Sequence, residues 1–150
     1  MSAAADVDLA VSIGAVRLPT PVIAAAGTFG YGTEFAGLVD LAAIGAIGVK
    51  GLSLAPARGK PPPRLLESPG GMLNAIGLQN IGVEAFLRER LPALHAAGAR
   101  VVANFWGDSA DEFAACAARL TTPSTKPFAS PRTFAASGRY RSSVATRLSE

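Results

Sequence analysis

Ala46-Ile-Gly-Val-Lys-Gly51 is the stretch that decides how this chain folds. Small and aliphatic residues run without polar relief into one lysine and a closing glycine. An apolar run this short reads as a strand buried on both faces, and such strands belong to parallel sheets covered by helices. Pro21-Val-Ile-Ala-Ala-Ala-Gly27 upstream and Arg100-Val-Val-Ala-Asn-Phe105 downstream repeat the pattern. Helical signals follow each of them. Thr33 is placed to N-cap a helix over Glu34–Ala42. From Val83 to Ala97, helical spacing puts Val83, Phe86, Leu87, Leu91 and Leu94 on one face, with Arg88, Glu89 and Arg90 outward. Asp108 to Leu120, opened by Ser109 or Asp108, carries Phe113, Cys116 and Leu120. Strand, helix, strand, helix, strand, helix predicts an α/β chain with a parallel sheet and right-handed crossovers. Ahead of it, Val7–Ile13 and Ala15–Leu18 alternate loosely around Gly14 and predict a short hairpin.

The totals bound the class. At 150 residues, with 49% hydrophobic and 17% charged residues, one soluble domain or a piece of a larger one is expected. No apolar run reaches the roughly 18 residues of a membrane span, and the N-terminus lacks a basic flank and apolar core of secretory type. A single cysteine excludes an internal disulfide framework and suits the cytoplasm. The net charge of +3 is not spread evenly. Residues 1–122 hold nine Lys/Arg against ten Asp/Glu, whereas residues 123–150 hold five against Glu150 alone. The basic pI is therefore a property of the tail, and neither nucleic-acid nor membrane binding is expected of the folded part.

Residues 52–80 read as one long loop, and loops of that length are usually functional. Its last part, Gly71-Met-Leu-Asn-Ala-Ile-Gly-Leu-Gln-Asn80, mixes amides and glycines with apolar residues in no clean period. Such a segment suits wrapping something flat with a polar edge. Lys50 either snorkels from a strand end to solvent or meets an anion at the mouth of a site. Asn104 likewise forms a turn or satisfies the edge of a heteroaromatic ring. Ala24-Ala-Ala-Gly-Thr-Phe-Gly-Tyr-Gly32 is either a plain Gly-rich turn or a place where backbone approaches a flat ligand; its spacing is not a dinucleotide fingerprint. Trp106 covers a ligand or caps the core, His95 faces solvent, and Cys116 packs. No metal-ligand cluster is apparent.

The ordered set Pro21–Gly30, Gly48-Val-Lys-Gly51, Pro63-Arg64, Gly71–Asn80 and Val102-Ala-Asn104 resembles the class 1 dihydroorotate dehydrogenases, and among them the NAD-linked subtype B catalytic subunit. The resemblance covers about residues 11–122, and Asn-Ala-Ile-Gly-Leu-Gln-Asn is its specific element. It implies the N-terminal part of a (β/α)8 TIM barrel, comprising the first three βα units after a β-hairpin. It also implies FMN as cofactor and oxidation of dihydroorotate to orotate in pyrimidine synthesis. Ala26, Gly27, Lys50, Gly51 and Asn104 would contact the flavin, with Ala26 contributing backbone only because the family commonly has serine there. Lys50, Asn74, Ala75, Ile76, Gly77 and Leu78 would hold the substrate. The implied partners are an iron–sulfur/FAD electron-transfer subunit and a second catalytic subunit.

The chain departs from the family after Thr122. The Asn-x-Ser-Cys-Pro-Asn stretch that supplies the family's cysteine base is absent, so no catalytic base is assigned. A full barrel of this type takes about 250 residues. Three divisions are therefore expected: a hairpin extension over 1–20, a partial barrel over 21–122, and a basic tail over 123–150 that is disordered or frameshift-derived. The chain is expected to be truncated and inactive alone, with apolar surface and sheet edges exposed. A dihydropyrimidine dehydrogenase-like flavin barrel fragment and a non-enzymatic interaction fragment are the alternatives.

Overall fold

The computed structural model describes residues 7–14 and 16–121, and the backbone of 133–140. Strands β1 (Val11–Ile13) and β2 (Val16–Leu18) pair antiparallel around Gly14, as the alternation predicts. The main sheet follows. Strands β3 (Ile23–Ala24) and β4 (Ala46–Gly48) lie parallel, and β4 pairs in parallel with β7 (Val101–Gly107). Between β4 and β7 the chain forms an antiparallel hairpin, β5 (Leu65–Ser68) and β6 (Gly71–Asn74). Helix α1 (Val83–Ala85) continues through a π turn, Phe86–Arg90, into α2 (Leu91–Ala96). Pro92 at the start of α2 has no N–H to return to the preceding turn, which accounts for the widened turn before it. Helix α3 (Ala110–Thr121) packs on β7.

The core confirms the helical reading. Val83, Phe86, Leu87, Leu91 and Leu94 are all buried, together with Ile47, Val49, Leu52 and the inward face of β7. That strand alternates strictly: Val101, Ala103, Phe105 and Gly107 are buried, while Val102, Asn104 and Trp106 are half-buried on the opposite face. Cys116 and Leu120 close the layer from α3, and Phe113 rests on Phe105 with ring centroids 4.8 Å apart. Where the start of β4 runs against residues 20–22, a Cβ on Gly45 would meet the Thr20 carbonyl oxygen at 2.2 Å, so no side chain fits.

Three expectations need correction. The helix over Glu34–Ala42 does not form; only a 3-10 turn, Thr33–Phe35, is present. Thr33 is not its cap, because Gly32 occupies that position. Gly37 weakens a helix there, and the Asp40 side chain accepts the Ala42 N–H at 3.0 Å, holding the chain in a turn instead. Second, residues 52–80 are not structureless, since they contain the β5–β6 hairpin. Third, a strand β8 (Thr133–Tyr140) lies parallel to β7 at the end of the order β3-β4-β7-β8, in a stretch with no strand period of its own. Backbone bonding to the edge of β7 supplies that order. The remainder of the expected tail lies outside the described residues. Apolar exposure is as anticipated, with Val22, Leu38, Leu66 and Leu73 all more than half exposed.

Candidate functional site at the carboxyl edge of the sheet

Beyond β4 the chain runs between the loop after β3 and strand β7. Lys50 N–H donates to the Gly30 carbonyl at 2.9 Å, and Leu52 N–H donates to the Asn104 carbonyl at 2.9 Å. Trp106 N–H returns to the Leu52 carbonyl at 2.8 Å. The two Leu52 bonds extend the parallel pairing past β4 and set Gly51, which follows Lys50, beside Asn104. Lys50 is half-buried and lines a cleft of ≈ 570 Å³. Tyr31, Ala57, Gln79, Asn80 and Glu89 line it with Lys50.

Tyr31 is the cleft's rigid wall. Its ring packs 6.1 Å from that of Phe86, the Arg90 guanidinium carbon lies 5.9 Å from its centroid, and its hydroxyl accepts the Ile81 N–H at 3.1 Å. Burial is the main cause of a phenol pKa above the ordinary value; the nearby Glu34 carboxylate adds to it, against the opposing pull of the Ile81 bond and Arg90.

Asn80 closes the amide-rich loop on itself. Its Oδ1 accepts the N–H groups of Ser53 at 3.1 Å and Gly82 at 2.8 Å, and its Nδ2 donates to Ser53 Oγ at 2.8 Å and the Leu78 carbonyl at 3.0 Å. Its backbone exchanges both bonds with Ala57, at 2.9 and 3.0 Å. Nothing of this amide is left for a ligand. Arg64 stitches the loop from outside, donating to Gln79 Oε1 at 2.7 Å and the Arg58 carbonyl at 3.2 Å.

The other expected site residues divide. Asn104 stands beside Gly51, with its Nδ2 3.5 Å from where a Gly51 Cβ would lie, and its side chain makes no hydrogen bond among the described residues. The backbone nitrogen of Ala26 approaches the equivalent point on Gly48 at 3.2 Å, while Gly27, at φ 89, stands in open space. Asn74, Ala75, Ile76, Gly77 and Leu78 are exposed and do not line the cleft. They are held by backbone: Ala75 N–H donates to the Arg64 carbonyl at 2.8 Å and Lys60 N–H to that of Ile76 at 3.0 Å. Cys116 is fully buried in the core, as its packing role predicts, and burial pushes its thiol up to about 11. His95 is half-buried rather than facing solvent. Sequence reasoning did not single out Tyr31 or Glu89 for the cleft. A tyrosine inside a Gly-rich run is a detectable signal; a glutamate on a charged helix face is not.

An α/β chain with polar side chains gathered at the carboxyl edge of a parallel sheet is the arrangement of enzymes that bind small molecules there. The chain belongs to the dihydroorotate dehydrogenase family, which it matches over residues 8–130. It is 53% identical over 112 residues to the Trichlorobacter lovleyi protein named dihydroorotate dehydrogenase B (NAD(+)), catalytic subunit. It is 52% identical over 113 residues to the Geobacter sulfurreducens protein of the same name, and 50% identical over 113 residues to that of Geotalea uraniireducens. In each case the match takes in 75% of this chain and 37% of the relative. The chain thus spans little more than a third of the length of these relatives. Among the described residues, no helix is long and apolar enough to cross a membrane.

Proposed function

We infer that this chain is the first part of a (β/α)8 barrel that oxidises dihydroorotate to orotate on FMN in pyrimidine synthesis in the cytoplasm. The observation that carries this is the junction of Lys50, Gly51 and Asn104 at the carboxyl edge of β4 and β7. These residues fit a flavin: glycine adds no side chain against a flat ring, the Asn104 carboxamide has no hydrogen-bond partner among the described residues, and Lys50 is a half-buried residue. A bound flavin supplies the two-electron acceptor for the oxidation.

The chain's own groups then have distinct tasks. Lys50 places a positive charge where the flavin and an anionic pyrimidine carboxylate gather negative charge, in a partly water-excluded setting that strengthens the attraction. Asn104 orients the ring edge, and the backbone near Ala26 and Gly27 borders it. Asn74 to Leu78, tethered to residues 60 and 64 by backbone bonds, are the exposed segment proposed to hold the substrate. Cys116 does not take the proton at C5, since it is buried and its thiol stays protonated at neutral pH. The relatives' name, catalytic subunit, supports assembly with a further subunit, and the resemblance makes an iron–sulfur/FAD subunit and a second catalytic subunit the proposed partners.

The test uses the visible spectrum of FMN mixed with the protein. Orotate is expected to shift the flavin bands of the complex, and Lys50→Ala to abolish that shift. The 150 residues alone are expected to form no orotate from dihydroorotate. A flavin spectrum indifferent to orotate would reject the substrate, and sustained turnover would reject the expected inactivity.

A further inference from the structure

The indole of Trp106 carries a hydrogen-bond donor that no described residue accepts. Its Nε1 is buried and has no acceptor among the described residues. Leaving such a group unpaired costs about 1–3 kcal/mol, and buried indoles normally find an acceptor. Trp106 lies two residues beyond Asn104 on the same face of β7, so both side chains leave the strand in one direction. Both also converge on Gly51. A Cβ there would lie 3.4 Å from Trp106 Cδ1, 3.9 Å from its Nε1 and 3.5 Å from Asn104 Nδ2. Cδ1 and Nε1 belong to the pyrrole edge of the ring, so the indole turns its N–H side toward Gly51. Two side-chain donors therefore border the Cβ-sized space at Gly51, directly after Lys50, with no acceptor for either among the described residues.

We propose that Trp106 is a ligand-binding residue of this site, its Nε1–H donating to a carbonyl oxygen or ring nitrogen on the edge of a flat heteroaromatic ligand seated over Gly51. That ligand is the flavin, so the inference rests on the reading given above. A purely packing role would need the ring and not its nitrogen, and a phenyl ring would serve it as well.

The chain contains a single tryptophan, so one indole ¹⁵N–¹H resonance reports on this bond alone. FMN is titrated into the ¹⁵N-labelled chain while bound FMN is counted separately by equilibrium dialysis. The indole resonance is expected to move downfield in proportion to the bound fraction. Trp106→Phe is expected to bind FMN about tenfold more weakly while melting at the wild-type temperature. Bound FMN with an unmoved indole resonance overturns this inference and leaves the flavin reading standing. No bound FMN by dialysis overturns both. The resonance is read on the wild-type chain, so the outcome does not depend on how the variant folds.

Discussion

The two ends of the segment between β4 and α1 are built on opposite terms. At its C-terminal end Asn80 is buried, and its carboxamide joins Ser53, Leu78 and Gly82. At the hairpin, Leu65, Leu66, Met72 and Leu73 are all more than half exposed, and no residue of either strand is buried. An isolated two-stranded hairpin is marginal in water, whereas a satisfied buried amide is costly to disturb. The difference teaches which amides build the loop and which remain available. Asn80 is an architectural residue, whereas residues 74–78 are exposed.

Substitutions should separate the two ends sharply. Asn80→Ala removes the acceptor of two backbone N–H groups and the donor to Ser53 Oγ, and a loss on the order of 3 kcal/mol is expected. A urea titration measures it, and an unchanged midpoint would refute the architectural role. Gly82→Ala comes next. Gly82 has φ 79, and an added Cβ would lie 2.9 Å from Pro56 N, so about 1–3 kcal/mol should be lost from backbone strain and clash. The core adds a pH-dependent boundary through Cys116. Its folded pKa is raised above 9.0 by burial, so its contribution is intact below pH 9 and disappears as pH climbs through about 11. Thiol reagents at pH 8 should label it only after denaturant is added, and labelling at the native stage would contradict its burial. The smallest effect belongs to the hairpin. Leu66→Ser should change stability by less than about 0.5 kcal/mol, because the side chain already meets water.

Much of this was legible in the residues. The apolar runs at 46 and 101 became parallel strands, and the spacing from Val83 to Leu94 named the buried face of α1, the π turn and α2. Lys50 and Asn104 stood out because each ends an apolar strand with a polar group, and the structure sets both beside Gly51. The hairpin was not legible, because leucines occur on both of its faces and leave no period of two to detect. The helix expected at Glu34–Ala42 failed on Gly37 and the Asp40 turn, local features that outweigh apolar spacing. Asn80 could not be told from Asn74 in sequence, since an asparagine reads the same whether its amide turns inward or outward. Trp106 keeps two readings in sequence, because a large aromatic residue after a strand covers a ligand or caps a core equally well.

The proposed flavin seat is the carboxyl edge around Lys50 and Gly51, and the exposed hairpin is proposed to have no part in it. Calorimetric titration of FMN into the wild-type chain, Lys50→Ala and Leu66→Ser tests this most directly. The account predicts binding at least about tenfold weaker for Lys50→Ala, with the loss of one charge-assisted contact, and wild-type affinity for Leu66→Ser. Equal affinity in all three proteins, or FMN binding lost with the hairpin leucine and kept without the lysine, would contradict it.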